Sequence, residues 1–188
     1  MLKEQDIIPQ GFLRVTEVLQ PFANFTHIDP LTLANAADRG ERVHAYCEAY
    51  SLGLFLNDID DDCKNYVEVF KRWFDETVEE VIATEKRLNS PFYRISGKFD
   101  MVAKLKGAPN ELVLIDIKTP ATPSCSWTLQ TAAYRILLRE QMNLDISRRI
   151  CLLLPKVGDS VKIAEYTDHE RDERLYLACL ELYRFFNN

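Results

Sequence analysis

The feature that most constrains this chain is a change of hydrophobic period near residue 82. Before it, Ala34, Ala37, Val43, Tyr46, Cys47, Tyr50 and Leu54 recur at spacings of three and four, predicting an amphipathic helix over residues 33–56 with a weak point at Gly40. The acids Asp58, Asp60, Asp61 and Asp62 suit the start of a second helix, whose buried stripe takes Tyr66, Val69, Phe70, Trp73, Phe74, Val78 and Val81 or Ile82. Beyond it, residues 81–88, 92–105 and 111–117 read as three antiparallel strands, turning at Asn89-Ser90-Pro91 and Gly107-Ala108-Pro109-Asn110. A helix over 126–140, a buried strand over 148–155, a short strand at 161–166 and a helix over 169–186 follow. Thr16 is placed to cap a short entry helix that Pro21 ends. Helices on both sides of the strands, and between them, make this an α/β chain.

With 188 residues, 47% of them hydrophobic, one domain with a full core is expected. The formal charge of −6 excludes a uniformly cationic nucleic-acid coat but leaves room for a local basic cleft. No stretch reads as a signal peptide or a bilayer span, so no membrane association and a cytoplasmic location are expected. The five cysteines, Cys47, Cys63, Cys125, Cys151 and Cys179, are widely separated and lie among apolar residues, which predicts free thiols packed in the core. His27 and His169 stand apart from any constellation and read as loop or cap residues.

Two stretches carry candidate chemistry, GKFDMV at residues 97–102 and LIDIKT at residues 114–119. Asp116 and Lys118 are two apart on a strand and share a face, while Ile115 and Ile117 point to the other side. If Asp100 lies on the facing strand, its carboxylate can join Asp116 around a hard divalent cation, with Lys118 beside a water. The plainer alternative is an amphipathic hairpin with solvent-facing charges. Residues 86–106 add six cations, Lys86, Arg87, Arg94, Lys98, Lys104 and Lys106, against Asp100 alone, a local balance of +5 that phosphate could approach.

These motifs, in this order, resemble the PD-(D/E)xK nuclease superfamily, in particular its RecB-like and Cas4-like exonuclease branch of phage and DNA-repair proteins. Asp100 matches the first metal-binding acid, with Phe99-Asp100 standing for the PD pair, Asp116 matches the second acid and Lys118 the catalytic lysine. The stretch from Arg39 to Glu48 resembles the helix that carries RG-x-x-x-H-x-x-x-E, which implies His44 as a metal ligand and Glu48 as a nearby orienting acid. Gln130 and Tyr134 resemble the QxxxY helix facing the cleft, and Glu85 occupies a place where such proteins often carry a glutamate.

The resemblance implies a restriction-endonuclease-like core, a mixed central β-sheet flanked by helices. It places a mainly helical entry region at residues 1–80 and the catalytic sheet at 81–166, in a single nuclease domain over 1–188. His44, Asp100, Asp116 and the Ile117 carbonyl would hold Mg2+ or Mn2+, and Lys118 would position the hydrolytic water. The four suitably placed cysteines of a Cas4-like iron-sulfur cluster are missing, so none is expected. The expected activity is a DNA exonuclease that prefers single-stranded ends, contacts the DNA backbone and works with a repair or recombination partner, in the host cytoplasm if phage-encoded. A structure-specific endonuclease and a non-catalytic nucleic-acid-binding protein on the same scaffold are the alternatives.

Overall fold

A computed structural model of the chain describes residues 7–22, 29–120 and 122–187, so His27 lies outside the described residues. Its strands are β1 (Leu13–Arg14), β2 (Val78–Thr84), β3 (Arg87–Ser90), β4 (Ile95–Lys98), β5 (Met101–Leu105), β6 (Ala108–Lys118), β7 (Arg148–Leu153) and β8 (Lys162–Tyr166). The helices are α1 (Val15–Leu19), α2 (Pro30–Ser51), α3 (Lys64–Thr77), α4 (Ser126–Met142) and α5 (His169–Asn187).

Five strands form the main sheet in the order β2-β5-β6-β7-β8. β6 and β7 run parallel because α4 carries the chain across between them, while the other neighbours are antiparallel. The fold is therefore α/β, with a mixed central sheet flanked by helices. Strand parity divides the core in two. Val113, Ile115 and Ile117 of β6 pack with Val43 and Cys47 of α2 and with Tyr66, Phe70 and Trp73 of α3. Leu114 faces the other way, toward Ala133, Leu137 and Leu138 of α4 and Tyr176 and Leu180 of α5. Both faces are covered from Leu112 onward, so β6 is apolar from there until Asp116 and Lys118 end it, while Pro109, Asn110 and Glu111 at its start are exposed.

Several boundaries differ from the sequence expectation. α2 is one uninterrupted helix through Gly40, opened by the Asp29 carboxylate, which accepts from the Thr32 N–H at 2.9 Å. It stops at Ser51 rather than near residue 56, because Gly53 turns left-handed (φ 72°) and the N–H groups of Gly53 and Leu54 close back onto the carbonyls of Tyr50 and Ala49. α3 ends at Thr77, and Val78 and Val81 belong to strand β2, not to the helical stripe. The turn before β6 is at Lys106-Gly107, with Gly107 at φ 84°, and Ala108 is already in the strand. Arg14, not Thr16, caps α1, its backbone N–H donating to Glu17, and Pro21 continues into a 3-10 turn. Cys47, Cys63 and Cys151 are buried free thiols as expected, Cys179 is half-buried, and Cys125 is exposed at the start of α4.

The largest difference positions the site. The two extended stretches over residues 78–90 and 95–105 do not form one pair of continuous strands. Both break at the same level. Glu85 takes a left-handed conformation (φ 45°), and Phe99-Asp100 interrupt the partner, so β2 and β5 stay in the main sheet while β3 and β4 pair in a smaller sheet with β1. A single backbone bond, Glu85 N–H to the Asp100 carbonyl at 2.8 Å, spans the crease.

Under α4 and α5 the guanidinium of Arg149, fully buried, pairs with Asp172, 1% exposed, and also donates to His169 Nδ1 and the Thr128 carbonyl. His169 is thus a residue at the start of α5 that accepts from this network. Asp172→Ala leaves the buried charge without its carboxylate, and urea unfolding should show a loss of about 3–5 kcal/mol.

Candidate active site

The crease collects the acids. Asp100 lies one residue before the pairing of Met101 with Ile115, which puts it beside the carboxyl end of β6. Its Oδ2 accepts the Ile117 N–H at 2.6 Å, and its Oδ1 stands 3.1 Å from His44 Nδ1 on α2. Glu85, turned inward by its left-handed backbone, brings Oε1 within 3.8 Å of the same His44 nitrogen and pairs its other oxygen with Lys98 at 2.5 Å. One ligand atom from each of His44, Glu85 and Asp100 lies within 4.8 Å of the others. A nitrogen and two carboxylates at that separation are a donor set that suits a divalent cation.

Asp116 and Lys118 form the adjoining half. Asp116 is 2% exposed, and its Oδ2 lies 2.5 Å from Lys118 Nζ. Lys118 also donates to Gln130 Oε1 at 2.9 Å and lies 5.4 Å from the centre of the Trp127 ring. Gln130 in turn donates from Nε2 to the Tyr134 hydroxyl at 2.9 Å. Four of the residues singled out in the sequence thus make one chain, Asp116, Lys118, Gln130 and Tyr134. Asp116 is not part of the His44, Glu85 and Asp100 cluster, and Ile117 reaches that cluster through its N–H. Glu48 is one turn beyond His44 and lines the same cleft.

Charge is balanced residue by residue. Burial works against protonation of His44, but the Asp100 and Glu85 carboxylates outweigh it and raise its pKa to about 10. Burial pushes the Asp100 carboxyl up, yet His44, then Lys118 and the Ile117 N–H, hold it below the ordinary aspartate value. Asp116 goes the other way: burial raises it, Lys118 offsets this only in part, and the Asp100 charge adds to the rise. Burial disfavours the Lys118 ammonium, but Asp116, Cys151 and Asp100 reverse that and lift its pKa above the lysine value.

Sequence reasoning missed two contributors. Lys98 neutralises Glu85 from the neighbouring strand. Gly97 leaves room for α4: a Cβ there would stand 2.7 Å from Leu137 Cδ1 and 2.9 Å from Tyr134 Cε1. At Gly40, by contrast, a Cβ would meet Thr119 Oγ1 at 3.6 Å, an ordinary contact. The glycine inside the predicted strand was the available signal. The basic segment is less free than its charge count suggests, since Lys104 pairs with Glu80 and Lys106 donates to the Asp75 carbonyl.

A second group of potential ligands, Asp60, Asp62 and Cys63, is already occupied by an internal cation. The Arg42 guanidinium bridges Asp38, Asp60 and Asp62 at 2.8–3.0 Å. Hydrogen bonding to Arg42 holds the Asp62 carboxyl down to about 2.

No family model matches the sequence, and no curated protein matches it. Among solved structures, the chain is similar to a candidate exonuclease from Eubacterium rectale, with TM-score 0.54, 13% identity, and 91% of this chain and 77% of that one covered. A second solved structure, of a protein whose name states no activity, has TM-score 0.46 and 16% identity over 94% of this chain and 78% of that one, too low to carry an argument. The likeness is a distant one of fold. The ligand cluster, for its part, is consistent with a metal-binding site. No helix among the described residues is long and apolar enough to cross a membrane.

Two measurements check this geometry. Gly97→Ala should cost about 1–3 kcal/mol in equilibrium unfolding, because Tyr134 and Leu137 must move. In an NMR titration, Asp62 should show a midpoint near 2 with or without Mg2+. Its folded pKa lies below the ordinary 3.8, so its contribution to stability is present above that value and is lost as pH falls through about 2.

Proposed function

We propose that the chain is a divalent-metal-dependent deoxyribonuclease that acts as an exonuclease. On this reading it is one nuclease domain over residues 1–188, with a restriction-endonuclease-like core of the PD-(D/E)xK superfamily's RecB-like branch. The observation that carries the reading is the convergence of His44, Glu85 and Asp100 within 4.8 Å, against the strand end that presents Asp116 and Lys118. Such a site needs hard donors, an acid pair and a fixed cation at the end of a rigid strand.

The two carboxylates suit Mg2+ or Mn2+. His44, Glu85 and Asp100 would hold the ion, with Asp116 and the Ile117 carbonyl completing the set. When bound, the cation supplies positive charge for phosphodiester hydrolysis. The protein's own groups do the rest. The Asp100 bond to the Ile117 N–H fixes its carboxylate against β6. Lys118, held between Asp116 and Gln130, keeps its ammonium aimed into the site, where it orients the attacking water and offsets charge on the phosphate oxygens. Tyr134 and Gln130 fix the lysine's direction through the wall of α4. Water is the nucleophile, and no organic cofactor is required. The DNA backbone is the partner recognised, rather than its base sequence.

Incubation of metal-free protein with end-labelled linear single-stranded, blunt duplex and closed circular DNA, with Mg2+ or Mn2+ added separately, tests the reading. Loss of linear but not circular substrate is expected. Cleavage of circles would make it an endonuclease, and binding without cleavage would make it a binding protein on a nuclease scaffold. Asp100→Asn and Asp116→Asn should remove metal-dependent turnover while leaving the circular dichroism spectrum unchanged, and parental rates in both would overturn the assignment. Lys118→Ala should lower kcat by about 10²–10³-fold with a smaller change in KM.

A further inference from the structure

The cleft above the ligand cluster has a volume of about 840 Å³. Besides His44, Glu85 and Asp100, its walls include Arg39 from α2 and Arg87 from β3. Both arginines hold Nε out of water with no hydrogen-bond partner. A buried donor left unmade costs about 1–3 kcal/mol, and more when the group is charged. Both side chains line the cleft, so two guanidinium groups, each with a donor unused, border the space above the cluster.

Each guanidinium is also braced. Arg87 Nη1 donates to Ser96 Oγ at 3.2 Å, on the strand beside it. The Arg39 guanidinium carbon lies 5.7 Å from the centre of the Tyr66 ring, a cation–π distance. Bracing fixes the planes before a ligand binds, so less side-chain freedom is lost on binding. A planar fork of N–H donors matches the oxygens of a phosphodiester, which can accept from several donors at once. The space is that of a small-molecule site, typically about 300–1,000 Å³, and has room for a few linked nucleotides.

We propose that Arg39 and Arg87 form a second phosphate subsite, which grips the phosphodiester next to the one at the His44, Glu85 and Asp100 cluster in a single-stranded polynucleotide. The inference rests on the nuclease reading of that cluster, and deepens it by naming the substrate as a single strand held at two successive phosphates. Arg39 and Arg87 are positioning residues: they set which bond of the strand lies at the cluster.

The test is equilibrium binding of a fluorescein-labelled oligothymidylate to the full chain in Ca2+, over a salt series, with the oligonucleotide checked for integrity afterwards. Arg39→Gln and Arg87→Gln should each weaken binding about tenfold, and flatten the plot of log affinity against log salt by about 0.7 per lost phosphate contact. Arg87→Lys keeps the charge without Nε, and should keep the slope while losing affinity. Lys156→Gln, on an exposed loop, should behave as the parent. Thermal unfolding confirms that each variant is folded, and if a Gln variant is not, Arg87→Lys decides. Unchanged affinity and slope in the folded arginine variants would overturn the subsite, as would an equal loss in Lys156→Gln. An arginine-dependent slope in a protein that cleaves nothing would sustain the subsite and reject the catalytic reading. Cleavage with unchanged slopes would do the reverse.

Discussion

Everything at the candidate site depends on one break in a ribbon. Two extended stretches that could have paired along their whole length part at Glu85 and at Phe99-Asp100, and the chain leaves one sheet for another at both points together. A left-handed non-glycine residue is a strained conformation that persists only when its surroundings hold it. Here the Glu85 N–H is held by the Asp100 carbonyl and its carboxylate by Lys98. The break frees the Asp100 side chain to take the Ile117 N–H that a neighbouring strand would otherwise have taken. Strain in the backbone thereby becomes a fixed position for two carboxylates.

Burial then sets the electrostatic terms. Glu85 and Asp100 have side chains 8% and 11% exposed, a situation in which uncompensated negative charge is strongly disfavoured. The structure answers with His44 and Lys98 against Glu85 and Asp100, and with Lys118 against Asp116. The opposite directions of the Asp100 and Asp116 shifts follow from this division, since His44 favours ionisation at one acid while the other faces its neighbour's charge. Arg42 plays the same part at Asp60 and Asp62, where three carboxylates turned on one guanidinium tie the middle of α2 to the loop before α3.

Much of this was legible in the sequence, for reasons that can be traced. Strand parity puts Asp116 and Lys118 on one face and Ile115 and Ile117 on the other, because alternation is a property of the backbone. The helix of His44 is legible from its apolar spacing, and the helix of Gln130 and Tyr134 likewise. The division of residues 92–105 into two strands was not, because the break falls at Phe99-Asp100, where a lone Asp after an apolar residue, with no Pro or Asn beside it, does not mark a turn. Val78 and Val81 fit a helical stripe and a strand equally well, so only the pairing of Val78 with Leu105 decides between them. Glu85 was visible as an acid in a suggestive place, but its left-handed φ has no sequence signature, and that angle is what turns it inward. Cys125 departs from the buried expectation because it precedes the first turn of α4 at the surface, between Ser124 and Ser126 rather than among apolar residues.

The two-sided burial of β6 has a thermodynamic consequence. One hydrophobic core lies between the sheet and α2 and α3, the other between the sheet and α4 and α5. The site draws His44 from the first side and Gln130 and Tyr134 from the second. Whatever binds there touches both layers, and its free energy of binding is added to the cooperativity between them, because a ligand that needs both halves in place is lost when either opens. Occupancy and the integrity of the whole sandwich are thus linked functions.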